Sequence, residues 1–394
     1  MRSAEPLSLD QLIAIDPLLS EEERMVKDTV RRFVRERYLP RAAELFEEEK
    51  FPTDLIPEIA GMGLLGATIT GYGCAGMSSV AYGLALAELE YGDSGLRSFA
   101  SVQGSLAMWP IWKYGSEEQR QRFLPRMATA ELIGCFGLTE PDSGSDPGSM
   151  KTRARIDGRD YVISGTKMWI TSAPIADLAV VWAKVGDGDV SSIRGFIVER
   201  GMKGFETPTI HGKMSLRASP TGEIVLNEVR VPAENMLPGV EGLKGPLGCL
   251  TQARFGISWG ALGAARCCYD TAVGYARERV QFDRPIASKQ LVQEQLVEMA
   301  MEIAKGQIMA LHYARMKDAG SITPVQVSLC KKNNVGWALK IARTARGILG
   351  GNGILLDYPV IRHMLNLESV YTYEGTNEVH TLILGNALTG YNAF

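Results

Sequence analysis

The sequence predicts a mixed α and β chain, mostly α, in three successive parts. A helical part covers 1–132, an antiparallel β part 133–240, and a helical bundle 241–394. Three observations predict this. Strand signals are almost absent before 132. From about 133 to 232, β-branched runs alternate with period two between turn residues. From about 241, helical periodicity returns in long segments with short breaks, the pattern of antiparallel helices.

The elements follow in order. Ser20 and Glu23 form a capping-box pattern that opens a helix over 20–50, with Val26, Val30, Phe33 and Val34 on one face. Ser78–Glu90 and Glu117–Ala130 read as further helices, the second capped by Ser116 with Gln119. In the β part, Asp157-Gly158 separates Arg153–Ile156 from Tyr161–Ile163, a hairpin signal. Leu178–Val185, Gly195–Val198 and Glu223–Val231 read as further strands. In the last part, helices are expected over 245–280, 288–318 and 323–347. Thr323-Pro324 supplies an N-cap followed by proline at the first helical position. A final helix is expected over 376–388.

Composition excludes several function classes. Hydrophobic residues are 45% and charged residues 22% of the 394, an ordinary globular balance. A net charge of −3 gives no overall attraction to nucleic acid or to an anionic membrane. The 6 cysteines form no CxxC pair and no metal spacing with the 4 histidines, so no metal site is expected. No run of 18 apolar residues exists; 255–268 is interrupted by Gly256, Gly260 and Gly263. The N-terminus lacks an export core and carries Glu5 and Asp10, so a cytoplasmic or mature organellar protein is expected.

Four stretches carry candidate chemistry. Gly71-Tyr72-Gly73-Cys74-Ala75-Gly76 spells a dinucleotide fingerprint, but that fingerprint needs a preceding strand in a parallel sheet, and helices flank it here. A loop between helices is the better account. The segment CFGLTEPDSGSDPG at 135–148 joins the helical part to the β part; it is a Ser/Gly-rich connector or a loop wrapping a polar ring or phosphate. KMWITS at 167–172 ends a strand with an aromatic ring, which is a buried tryptophan or a ligand edge. YTYEGTNEVH at 371–380 places Glu374 between an aromatic residue and a glycine. Glu374 is a surface glutamate capping the next helix, or a desolvated carboxylate serving as a base.

Taken together, FGLTEPDSGSD, WIT, RVQFDRPI at 279–286, LGGNGI at 349–354 and YEGTNEVH at 373–380 resemble the acyl-CoA dehydrogenase family, in order and over nearly the whole chain. SGLRSFASVQ at 94–103, KMSLRAS at 213–219, ARFGISWG at 253–260 and ILGNALTG at 383–390 are similar to its glutaryl-CoA branch. The resemblance implies an N-terminal helical domain, a middle β domain and a C-terminal four-helix bundle, binding FAD without a Rossmann unit. It implies that Phe136, Leu138, Thr139 and Gly144 line the flavin, with Ser145 nearer a thioester substrate. Trp169, Ile170 and Thr171 would lie along the ring edge. Arg279, Phe282 and Gln290 would reach the adenosine-diphosphate end from a neighbouring subunit of a homotetramer, and Gly350, Gly351 and Thr376 would complete the site.

By the same resemblance Glu374 is the base that removes the proton α to the thioester, and its backbone N–H helps to hold the carbonyl oxygen. Gly375 adjoins that contact. Arg254 lies near the base, to orient the carboxylate or to serve a structural ion pair. Arg97, with Ser98, would hold a distal carboxylate, which is expensive to bury alone. Glu90 is a proton relay or a helix-surface glutamate. The implied reaction is oxidative decarboxylation of glutaryl-CoA to crotonyl-CoA and CO2, with electrons passed to electron-transfer flavoprotein. The alternatives are a non-decarboxylating glutaryl-CoA dehydrogenase, a short-chain acyl-CoA dehydrogenase, an oxidase, and a non-catalytic binding module. Two residues depart from the family pattern. Gly347 stands where many members have glutamine, and Asp283 where glycine is usual.

Overall fold

The computed structural model describes residues 6–393. The helices opened by Ser20, Ser116 and Thr323 start where local capping signals say they should. Glu23 N donates to Ser20 Oγ at 3.2 Å and Ser20 N to Glu23 Oε2 at 2.8 Å, opening the Glu21–Phe33 helix. The single helix expected over 20–50 is broken, however. A widened turn at Val34–Tyr38 and a tight one at Leu39–Arg41 precede Ala42–Glu47. Pro40 has no N–H to donate, and its ring blocks the regular ladder. The Gly71–Gly76 stretch lies between the Ile56–Gly61 and Ser79–Gly92 helices with no strand before it. It is a connector.

Ser79–Gly92 is followed at once by Ser94–Ser101, which continues through a widened Val102–Met108 segment into Trp109–Tyr114. The buried Asp93 between the first two makes the corner. Its Oδ1 accepts from Gly95 N at 2.7 Å, capping the second helix.

The β part is one seven-stranded sheet: β1 Gly134–Gly137, β2 Arg153–Asp157, β3 Asp160–Thr171, β4 Leu178–Val185, β5 Ile193–Glu199, β6 Phe205–Glu206 and β7 Thr221–Val231. β2 and β3 form the expected hairpin, with Asp157 opposite Asp160. A wholly antiparallel sheet is corrected by two parallel pairings. β4 runs parallel to β1, Gly134 opposite Leu178, and parallel to the start of β2, Arg153 opposite Lys184. β4 lies far enough along the chain from both for a crossover connection. The 138–152 loop therefore lies between two strands that share one edge of β4.

The last part contains helices Lys244–Glu278, Gln290–Asp318, Pro324–Ile348 and Pro359–Thr372, then a shorter Asn377–Thr389. The first four share a core that includes Ile257, Ala264, Ile303, Ala338, Ala342 and Leu367. The Lys244–Glu278 helix also packs on Ser79–Gly92 at very short range. A Cβ at Gly263 would lie 1.8 Å from Ala87 O, and one at Gly260 2.0 Å from Glu90 Oε2. Gly263 is thus a point where two backbones meet, and Gly260 leaves room for the Glu90 carboxylate. Among the described residues, no helix is long and apolar enough to cross a membrane, and no group of metal-ligating side chains occurs.

Candidate active site

The site is built around a strained turn. After the Pro359–Thr372 helix ends, Glu374 takes φ +53° and Gly375 φ +94°, two successive left-handed residues. Glu374 does not cap the next helix. Thr376 does, its Oγ1 accepting from Val379 N at 3.2 Å. The Glu374 side chain turns inward instead, half-buried, with Oε2 shielded from solvent and without a hydrogen-bond partner. Burial raises its pKa above the ordinary carboxylate range, against the pull of Arg97, Lys331 and Arg254. Its N–H, like that of Gly375, has no acceptor among the described residues.

Three basic side chains surround this turn, Arg97 and Lys331 buried and Arg254 part-buried; burial lowers the Lys331 pKa to about 7, against the pull of Glu374. Arg254 Nε donates to the main-chain oxygen of Glu374 at 2.6 Å, rather than to its carboxylate or to an ion-pair partner. Lys331 Nζ donates to Tyr373 O at 2.8 Å and to Gly375 O at 2.6 Å. Arg97, 1% exposed, pairs through Nε with Glu90 Oε2 at 2.6 Å and through Nη2 with the Tyr373 hydroxyl. Glu90 is 0% exposed and accepts from Ser94 Oγ at 2.8 Å, so it is no helix-surface residue. Burial works against the charge of Arg97, but Glu90 and Tyr373 outweigh it and keep the side chain cationic. Its Nη1 makes no hydrogen bond among the described residues. Ser98 Oγ lies 3.5 Å from the Tyr373 hydroxyl. Burial pushes Tyr373 up to about 12 and drops the neighbouring His380 to about 3, so both are neutral.

The frame of this cluster is itself polar. Arg362 Nη1 lies 2.5 Å from Asp93 Oδ2, and Asn366 Nδ2 3.0 Å from the same oxygen. That ties the helix leading to Glu374 to the helix carrying Arg97. The 213–219 loop of the β part docks here too, Leu216 N donating to Asn366 Oδ1 at 2.8 Å.

A second group assembles where the 135–148 loop meets the end of β3. Met168 N donates to Thr139 O at 2.9 Å, and Lys167 Nζ to Leu138 O at 3.1 Å and Glu140 Oε1 at 2.9 Å. Burial lowers the Lys167 pKa to about 8, with Glu140 opposing the drop. Phe136, Leu138 and Ile170 are buried, whereas Thr139 and Thr171 are part-exposed. Trp169 is no buried tryptophan. It has φ +62° at a bulge in β3 and is 59% exposed. Gly144 and Ser145 stand at the exposed tip of the loop, above Ser143, which bonds Asp146 O at 2.5 Å.

The remaining candidates gather elsewhere. Arg279 caps the Lys244–Glu278 helix, and β8 (Val280–Gln281) turns into β9 (Arg284–Pro285) through Phe282-Asp283. Both turn residues have positive φ, +55° and +62°, as a tight two-residue hairpin requires. Asp283 therefore occupies a backbone position that glycine would fill easily and aspartate tolerates. Phe282 is 87% exposed at the tip, and Gln290 opens the next helix. Gly350 and Gly351 are exposed beside the same end, where Asn352 Nδ2 donates to the Tyr275 hydroxyl at 3.2 Å. From Arg254 to Arg279 is 25 residues of helix, about 37 Å along the axis. One chain does not bring these residues to the Glu374 turn. Gly347 projects into open space.

The family profiles described as acyl-CoA dehydrogenase N-terminal, middle and C-terminal domain match residues 20–131, 135–229 and 241–389. The chain belongs to the acyl-CoA dehydrogenase family. A glutaryl-CoA dehydrogenase from Mycobacterium smegmatis is 56% identical, with a TM-score of 0.96 over 99% of this chain and 100% of that one. Another M. smegmatis glutaryl-CoA dehydrogenase structure, in complex with FADH2, is 52% identical with the same coverage and a TM-score of 0.96. The human mitochondrial short-chain specific acyl-CoA dehydrogenase is 33% identical over 95% of this chain and 92% of its own length.

Lys331, Tyr373 and His380 were not among the sequence candidates. For Lys331 a signal exists: with Val327, Val335, Ala338 and Ala342 it falls on the buried face of its helix. A lysine at such a position needs acceptors.

Proposed function

We propose that the protein is an FAD-dependent dehydrogenase that converts glutaryl-CoA to crotonyl-CoA and CO2 and passes the electrons to electron-transfer flavoprotein. The observation that carries the reading is the buried Arg97–Glu90 pair, held against Tyr373 of the same turn that carries Glu374. A monoacid pocket has no use for a desolvated arginine with a spare donor. A distal carboxylate does, because it cannot be buried without a cationic partner.

The residues present fit FAD. An exposed indole at Trp169, on the strand end whose Met168 N–H donates to Thr139 O of the 135–148 loop, suits a flat ring. An exposed arginine and phenylalanine at 279 and 282 suit a diphosphate and its adenosine. Because Arg279 lies about 37 Å along one helix from Arg254 at the Glu374 turn, the second set would come from a neighbouring subunit. Val297, Met301 and Ile308 remain exposed on one face of Gln290–Asp318, which suits burial in a homotetramer. When bound, FAD supplies the two-electron acceptor for the hydride leaving the β carbon.

The chain's own residues do the rest. Glu374 in its ionised form, which Arg97, Lys331 and Arg254 favour against the burial that raises its pKa, takes the α proton. Its N–H meets the enolate-like charge on the thioester oxygen. Arg97 Nη1 and Ser98 hold the far carboxylate. After oxidation that carboxylate leaves as CO2, its electron pair entering the conjugated thioester. Glu374, now the acid, returns a proton to the γ carbon. Incubating the FAD-loaded protein with glutaryl-CoA and electron-transfer flavoprotein should give crotonyl-CoA and CO2 in equal amounts. Glutaconyl-CoA without CO2 would assign the non-decarboxylating reaction instead.

A further inference from the structure

The turn at Glu374 is an unusual piece of backbone. A non-glycine residue in the left-handed region is strained, so the surroundings must impose it. Three consecutive carbonyls are each held by a basic side chain. Tyr373 O and Gly375 O accept from Lys331 Nζ at 2.8 and 2.6 Å, and Glu374 O, between them, accepts from Arg254 Nε at 2.6 Å. Lys331 is 1% exposed and makes no ion pair among the described residues. Although its charge bears on Glu374, it makes no hydrogen bond to that carboxylate, whose Oε2 stays unpartnered. Both of its hydrogen bonds on this turn go to neutral peptide oxygens.

A trans peptide plane fixes the consequence. Its C=O and N–H point in opposite directions, and no peptide bond described here is cis. The carbonyl of Tyr373 and the N–H of Glu374 belong to one plane. Drawing Tyr373 O onto Lys331 therefore points the Glu374 N–H directly away from Lys331, into the space where no protein acceptor waits. The second contact, to Gly375 O, stops the turn from rocking about the first. Arg254 orients the next plane, that of the Gly375 N–H, in the same way.

We propose that Lys331 is a positioning residue for the reaction: by holding the carbonyls on both sides of Glu374 it aims the Glu374 N–H at the thioester oxygen and leaves the Glu374 carboxylate free for the α proton. The inference rests on the reading of Glu374 as base at a CoA thioester. It adds a role to a residue that touches neither substrate nor reacting atoms.

The test is Lys331→Met in the FAD-loaded enzyme. An N–H aimed at charge that develops only in the transition state acts on kcat and little on KM. The expected result is a KM within about 3-fold of wild type, undiminished FAD content, and a kcat about 100-fold lower, the scale of a 1 Å misplacement. A folded, FAD-loaded Lys331→Met enzyme with kcat within about 3-fold of wild type would overturn the role. Should that variant not fold, a crystal structure of the wild-type holoenzyme with a bound acyl-CoA decides. Lys331 Nζ is expected on both carbonyls and the thioester oxygen on the Glu374 N–H; Lys331 turned onto the Glu374 carboxylate would overturn it. Failure of the functional reading looks different: the wild-type enzyme would then oxidise no CoA thioester at all.

Discussion

Replacing Arg97 separates substrate recognition from structure. Arg97→Met removes the donor proposed for the distal carboxylate, but it also strands Glu90. That carboxylate is 0% exposed and would keep only the Ser94 hydroxyl at 2.8 Å. Breaking one half of a buried pair typically costs about 3–5 kcal/mol, most of it from the orphaned charge. The single variant is therefore expected to unfold at markedly lower temperature. The double variant Glu90→Gln/Arg97→Met removes both charges and should recover most of that loss. Substrate preference should not recover. An unpaired carboxylate entering a desolvated site loses about 2–5 kcal/mol, and at ~1.4 kcal/mol per decade kcat/KM falls roughly 30-fold to several thousand-fold. Steady-state kcat/KM with glutaryl-CoA and with butyryl-CoA, measured on the folded double variant, gives the answer. Glutaryl-CoA turnover should fall by that factor while butyryl-CoA turnover is spared. A double variant that keeps the wild-type glutaryl-to-butyryl ratio would refute the role of Arg97.

Glu374→Gln should lower kcat by about 10²–10⁴ while CoA-thioester affinity changes little, as read by stopped-flow flavin reduction and equilibrium titration. Gly375→Ala should impair kcat and thermal stability together. Its Cβ would meet His380 Nε2 at 3.0 Å and Arg254 Nη2 at 3.2 Å, at φ +94°, so an unchanged melting temperature would count against the strained turn. Removing the positive charge of Lys331 should also raise the Glu374 pKa further, since that charge pulls it down. The base works ionised, so the acid limb of the kcat/KM profile should move to higher pH in Lys331→Met, and a shift to lower pH would contradict the sign. Gly347→Gln meets nothing within 4 Å and replaces a helical glycine. It should stabilise by up to about 0.5 kcal/mol and not reduce FAD content, checked by thermal unfolding and the flavin absorbance ratio.

What could be read from the sequence was local. The caps at Ser20, Ser116 and Thr323 each need only residues three apart, and all three form as reciprocal hydrogen bonds. The Asp157-Gly158 hairpin likewise needs only its own turn. The parallel pairing of Gly134 with Leu178 joins strands more than forty residues apart, and no short pattern reports it. Burial resisted reading for the same reason. Whether Trp169 faces out and Glu90 faces in depends on packing, and the letters left both alternatives open for each. The widened turns near Pro40 and Pro110 were legible in principle, because a proline removes a donor wherever it falls. Motif resemblance supplied Glu374 and Arg97. It did not supply Lys331, whose partners, the carbonyls of Tyr373 and Gly375, lie more than forty residues away.

The central claim is that the half-buried Glu374 removes an α proton from a dicarboxylic CoA thioester held by Arg97. Anaerobic titration of the FAD-loaded protein with glutaryl-CoA tests it most directly. The account predicts stoichiometric bleaching of the oxidised flavin band by the wild-type protein and none by Glu374→Gln. Equal bleaching by both, or none by the wild-type protein, would contradict it.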